Sequence, residues 1–275
     1  MKKALSIAII SAFALIVVSC GESEKKDDKN LQTRTDTVVK DEISPEEVLV
    51  GKLELFILND FFPTDIFKIL NETGFVYNSV YMNPVSKLES YTSSNTKAFV
   101  LGVYGADLNY SICNNKASDA MTYLSTSKTI AEEVNVPMAF DEELIAAYQE
   151  NIDNKDQLSM LIIDAYDNAS QMLKSNEQLE MSVLVIAGGW YEGLYLAVAN
   201  YKEANEELNS FLAQQKSKLE KIKEIMELFE GDEYITKVKS HFTKISEFLN
   251  ANYEFNAKNI QTLKSILEEA RKEII

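Results

Sequence analysis

The segment Met181–Val198 is apolar around its whole circumference except for Ser182 and Glu192. A helix of this kind offers no face to water, so it either crosses a bilayer or lies at the centre of a protein with other elements on every side. Its length approaches the ~20 residues of a membrane span. Glu192 at its middle would be costly in lipid, however, and the segments on both sides carry polar faces, as a soluble bundle requires. The expectation is a central, buried helix around which the rest of the chain must be arranged.

What surrounds it reads as helix almost throughout. Beyond Thr96 the spacing of apolar residues predicts helices at about 96–114, 116–134, 140–152, 155–175, 177–204, 206–230, 233–250 and 256–274. Several starts are marked by caps. Asp141 precedes Glu142 and Glu143, Asn154 has Gln157 three residues on, and Asp232 and Asn256 stand before apolar periodic runs. In the last three helices the stripes Leu208, Phe211, Gln215, Ile222, Met226 and Phe229, then Ile235, Val238, Phe242, Ile245 and Leu249, then Ile260, Leu263, Leu267, Ala270 and Ile274 are core seams. Charges of both signs between Lys216 and Glu227 form a solvated outer face. Nothing resembles a hairpin turn between alternating strands. The fold class expected is all-α, a multi-helix antiparallel bundle with a buried central helix.

Upstream, Ser44-Pro45-Glu46-Glu47 sets an N-cap serine, a first-turn proline and an N3 glutamate before Val48, Leu49, Leu53 and Phe56, and so opens the folded domain, residues 44–275, with a helix to about Asn59. Pro63 opens a shorter one through Leu70. From Phe75 to Asn95 the pattern is ambiguous between strand and helix, and short helices are expected.

The amino terminus is of a different kind. Lys2 and Lys3 precede an apolar run from Ala4 to Val18, interrupted by Ser6 and Ser11, and then Ser19 and Cys20. This is a signal-peptide pattern, too short for a membrane span. Val17-Val18-Ser19-Cys20 resembles the lipobox of bacterial lipoproteins, with Val18 where a smaller residue is commoner. The resemblance covers only the leader, residues 1–19, and implies cleavage before Cys20 and acylation of that cysteine. Two or three acyl chains hold a protein firmly to a membrane, since each buried methylene contributes ~0.8 kcal/mol. Residues 20–43 then form a lipidated cysteine and a flexible polar linker, with Leu31, Val38 and Val39 too few to bury against the entropy of ordering. The charged stretch Gly21 to Asn30 is similar to the one that follows the acylated cysteine in some surface-exposed lipoproteins, so surface exposure and a periplasmic position both stay open.

Charge and cysteine content narrow the classes further. Loss of the leader removes two lysines and no acids from a formal charge of −16, leaving −18. Phosphate backbones repel such a chain, and no basic block offsets this, so nucleic acid is not an expected partner. With Cys20 acylated, Cys113 is the only thiol left, and the core must hold without an intramolecular disulfide. His241 is the only histidine, read as exposed beside its seam, which excludes histidine-based metal sites and weakens any Ser-His-Asp or Cys-His arrangement. No phosphate loop, dinucleotide fingerprint or calcium loop is present, and no cofactor or metal is expected.

The candidate site lies on the central helix, where Gly189, Gly193 and Ala197 stand four apart around Trp190, Tyr191, Glu192 and Tyr195. Glycines inside a helix cost ~1 kcal/mol each, which a close backbone contact would offset. The partner expected is the helix carrying Ala98, Gly102 and Ala106, with Tyr104, Asp107 and Tyr110 beside that stripe. The two segments resemble each other at an 85-residue offset, the mark of a possible duplication. Tyr104, Asp107, Tyr110, Trp190, Tyr191, Glu192 and Tyr195 are then the ligand-binding candidates, with aromatics for stacking and a carboxylate for a cation. The competing reading is that Glu192 is satisfied by tyrosine hydroxyls or a lysine and the rest is packing. No catalytic residue is assigned. The function expected is a lipid-anchored envelope protein of a Gram-negative outer membrane, carrying a helical, non-enzymatic binding or interaction domain for an unidentified protein or small-molecule partner. The alternative is a carboxylate-dependent, hydrolase-like enzyme with a cleft near Asp107 and Glu192.

Overall fold

The computed structural model describes residue 51 and residues 76–275, apart from 177, 202–205 and 230. The leader, Cys20, the linker and the helices expected between Ser44 and Leu70 lie outside the described residues. The folded unit is Ile43–Ile275. Among its described residues it is all-α. Eight helices run α1 Ser94–Cys113, α2 Ala117–Glu133, α3 Glu142–Glu150, α4 Lys155–Ser175, α5 Leu179–Ala199, α6 Glu206–Met226, α7 Glu233–Ala251 and α8 Ala257–Ile274. The ambiguous stretch before α1 forms two short 3-10 turns, Ser79–Tyr81 and Val85–Ser90. Residues 77–91 are called the strap below.

Local chemistry accounts for the boundaries. Side chains of Asp141, Asn154 and Asp232 accept from Leu144, Gln157 and Ile235 N–H at the starts of α3, α4 and α7, and Asn256 forms a reciprocal capping box with Asn259 at α8. α1 and α2 end on asparagines in the left-handed region, Asn115 at φ 56° and Asn135 at φ 64°. Lys116 N–H then returns to Ser111 O, and Val136 N–H to Ala131 O, closing the last turns. Asparagine is the non-glycine residue that visits this conformation most readily.

α5 is buried along its length, from Leu179 to Ala199. α1 packs along it, and α4, α6 and α8 close the remaining sides. α1 is buried almost as completely, from Ala98 to Ile112, beneath α2, α4, α5 and α7. The bundle therefore has two inner helices. They cross backbone to backbone: a methyl group on Gly102 would lie 1.9 Å from Val185 O, and one on Gly188 would lie 1.9 Å from Phe99 O. The close approach expected from the small residues is present, with Gly102 and Gly188 as the reciprocal contacts. Gly102 and Gly188 stand 86 residues apart, so they are not equivalent in the 85-residue correspondence seen in the sequence.

The seams of α6, α7 and α8 are buried as expected, except that Phe229 falls in a 3-10 turn after α6 and is half-buried. One position differs. His241 is 4% exposed, and its Nε2 lies 3.0 Å from Glu273 Oε2 of α8. It flanks Val238, Phe242 and Ile245 on the stripe that α8 covers, so tertiary contact buries a residue whose polarity suggested solvent.

Candidate functional site

Asp107 on α1 and Glu192 on α5 are brought together at the crossing, and neither is exposed to solvent. The two carboxyl groups are close enough that each charge opposes the other. Two buried carboxylates cannot both be ionised at contact, so one must hold a proton. Burial pushes Asp107 well above the usual carboxylate range, and the Glu192 charge pushes it further. Its Oδ2 accepts the Asn83 backbone N–H at 3.0 Å. Its Oδ1 has no conventional donor among the described residues. A proton on the Asp107 carboxyl turns a second buried negative charge into a neutral group with a donor of its own.

Glu192 is clasped from the other side by Arg271 of α8. Nη2 donates to Oε1 at 3.0 Å and Nη1 to Oε2, the bidentate fork that guanidinium and carboxylate geometry allows. Burial works against the Arg271 charge, but Glu192 outweighs it, and the guanidinium is held above its ordinary range. It also stacks on Tyr195, 4.5 Å from the ring centre. With Asp107 protonated, the trio carries no net charge, which is how such groups tolerate a dry interior.

A shell of tyrosines completes the site. Tyr104 O–H donates to Pro84 O at 3.3 Å, Tyr123 O–H to Asn83 O at 2.8 Å, and Asn83 Nδ2 to Tyr91 Oη at 2.9 Å. Burial raises all three tyrosines above their ordinary value, so they stay protonated donors.

The sequence candidates thus divide. Asp107, Glu192, Tyr104 and Tyr195 gather around the trio, and Tyr191 reaches both Arg271 and, through its hydroxyl at 2.6 Å, Leu267 O. Tyr110 sits nearer the end of α1, receiving Asn78 N–H at 3.0 Å and stacked on Tyr77; burial pushes it up to about 12. Trp190 faces away. Its indole donates to Gln215 Oε1 of α6 at 3.0 Å, and its ring lies 5.2 Å from Phe242 of α7. The space left by Gly102 and Gly188 is filled by the opposing helix backbone.

Comparison with protein families, curated proteins and solved structures gives no match. The trio stands on its own geometry.

Four participants escaped the sequence reading: Asn83, Tyr91, Tyr123 and Arg271. A signal existed for the last. Arg34 and Arg271 are the only arginines in the chain, and Arg271 lies four residues after the seam residue Leu267. A lone arginine on an apolar stripe calls for a buried acid, and the partner of Glu192 is this arginine and not the tyrosine hydroxyls or lysine expected from the sequence. No spacing rule pointed to Asn83, whose contribution is a backbone N–H. No cluster of His, Cys, Asp and Glu fit for a metal occurs among the described residues.

Proposed function

We propose that the protein is a lipid-anchored component of a Gram-negative cell envelope, held through acylated Cys20, whose helical domain binds or interacts with a partner and catalyses no reaction of its own. The observation that carries the non-enzymatic reading is the clasp of Arg271 on Glu192 beneath a surface that exposes neither carboxyl group. An acid–base pair acting on a sugar needs about 5–10 Å between its carboxyls and room for substrate. Here both carboxyls are fully buried side by side, and Glu192 is already neutralised by a guanidinium. The trio is an internal keystone joining α1, α5 and α8.

The anchoring half rests on the leader and on Val17-Val18-Ser19-Cys20. Its test is labelling of growing cells with a clickable palmitate analogue. The wild-type chain should take the label and run at the mass of the cleaved chain, and Cys20→Ala should take no label and keep the mass of the uncleaved precursor. The binding half is tested by a thermal-shift screen of the mature chain against metabolites, sugars and cations, repeated on Glu192→Gln. Ligands bound at an outer face should shift both proteins equally. Turnover of a glycoside or ester by the wild type, lost in Glu192→Gln, would overturn the non-enzymatic reading.

A further inference from the structure

Tyr148 of α3 carries a hydroxyl that the fold does not use. The residue is 1% exposed, and no hydrogen bond or charged group among the described residues acts on its oxygen. The other tyrosines buried to this degree, Tyr104, Tyr110, Tyr166 and Tyr191, each give or take a hydrogen bond, as a buried tyrosine ordinarily does. Nor is the oxygen sealed in the interior, as the unpartnered Asp107 Oδ1 and Asn109 Nδ2 are. It reaches a notch of about 280 Å³ that Tyr148 borders. α2 begins at the same notch, with Lys116 and Ala117 on its border. Lys116 is the N-cap and supplies no side-chain hydrogen bond, so the N–H groups of the first turn are left uncapped at the positive end of the helix.

We propose that this notch binds a small monocarboxylate with an aliphatic body, its oxygens held by the Tyr148 hydroxyl and the start of α2 and its tail laid on Ile112, Ile152 and Leu158. The charges on the border favour an anion. The Lys155 ammonium donates to Cys113 O at 3.2 Å and that of Lys116 lies 5.3 Å from the Tyr77 ring centre, so each rests on a neutral group. Asp119, in the first turn of α2, is already engaged by the Tyr77 hydroxyl at 2.6 Å. Asp153 is the one acid on the border, and two lysines against it leave a single net positive charge. That charge matches a carboxylate, whereas a doubly charged phosphate would keep one charge unbalanced in so acidic a chain. The tail has a place because the rest of the border is largely apolar, and Ile152 is 43% exposed there. This ligand class rests on the reading of the domain as a binding module, and its site is separate from the Asp107–Glu192–Arg271 trio.

Calorimetric titration of the full mature chain with sodium acetate, sodium 4-methylpentanoate, 3-methylbutylamine and inorganic phosphate tests this. The branched carboxylate should bind at one site, acetate more weakly for want of a tail, and the amine and phosphate not at all. Amide shifts in the nitrogen-labelled chain should be largest over residues 117–119. Tyr148→Phe removes a hydroxyl with no partner in the fold to forfeit, so it should melt no lower than the wild type while binding the carboxylate about tenfold more weakly. Lys155→Gln should weaken binding as well. The proposal is overturned by the absence of saturable carboxylate binding, by equal binding to Tyr148→Phe, by amide shifts confined to other helices, or by phosphate or amine binding as tightly. A ligand of another class that shifts the melting of wild type and Tyr148→Phe equally would remove this site and leave the binding module standing.

Discussion

Glu192→Gln probes the centre of the molecule more directly than any other single substitution. The amide keeps the size of the side chain but removes the bidentate anion from Arg271, leaving only the more distant Asp107 to balance it; removal of one partner from such a pair typically costs about 3–5 kcal/mol, and ionisation of Asp107 recovers part of that. Urea unfolding should show the midpoint falling by a corresponding amount with an unchanged slope. Replacing both members, as Glu192→Leu with Arg271→Met, removes the charge and its desolvation together, and the double variant should be more stable than either single one. Asp107 gives a complementary result. Its pKa is raised in the folded state, so the folded chain holds a proton that the unfolded chain has already released above about pH 4. The stabilisation is complete below that pH and is lost as pH rises through the folded-state value, at up to about 1.4 kcal/mol per pH unit. Asp107→Asn should flatten this decline and be at least as stable as the wild type on its alkaline side, as measured by denaturation across a pH series.

At the scale of elements, the inner pair α1 and α5 sets the tolerance of the fold. Gly102→Ala or Gly188→Ala would drive a methyl into a carbonyl oxygen, and the helices must separate or the chain must unfold. Overpacking of this kind costs about 1–3 kcal/mol where side chains can give way, and more is expected here because the atoms met are backbone. Thermal denaturation should place both variants below an alanine substitution at Gly231, where φ is +112° but the space is open. These elements were largely legible in the sequence, because helical period and capping residues are local properties. Asp141, Asn154, Asp232 and Asn256 cap the helices that their spacing announced. The partner of Glu192 was signalled only by the place of Arg271 four residues after Leu267, and the burial of His241 was not legible, because it depends on how α8 lies against α7. The strap was ambiguous for a related reason: tyrosine hydroxyls on other helices, up to 40 residues away in sequence, hold its backbone in place.

For the whole molecule, lipid attachment and self-sufficient folding are separate matters. The core of α1 to α8 holds without a disulfide among the described residues. A chain begun at residue 21, without leader or Cys20, should therefore be soluble with the melting temperature of the full-length protein, which sedimentation and calorimetry together would establish. The contact between Gly102 and Val185 O and its reciprocal between Gly188 and Phe99 O bear on how such a chain can change over generations. A crowded side chain can be trimmed by a second mutation, but a carbonyl is common to every residue and cannot be shortened. Damage at either glycine thus has no suppressor at the position it strikes, and a selection for revertants should recover the original glycine far more often than any change at Phe99 or Val185.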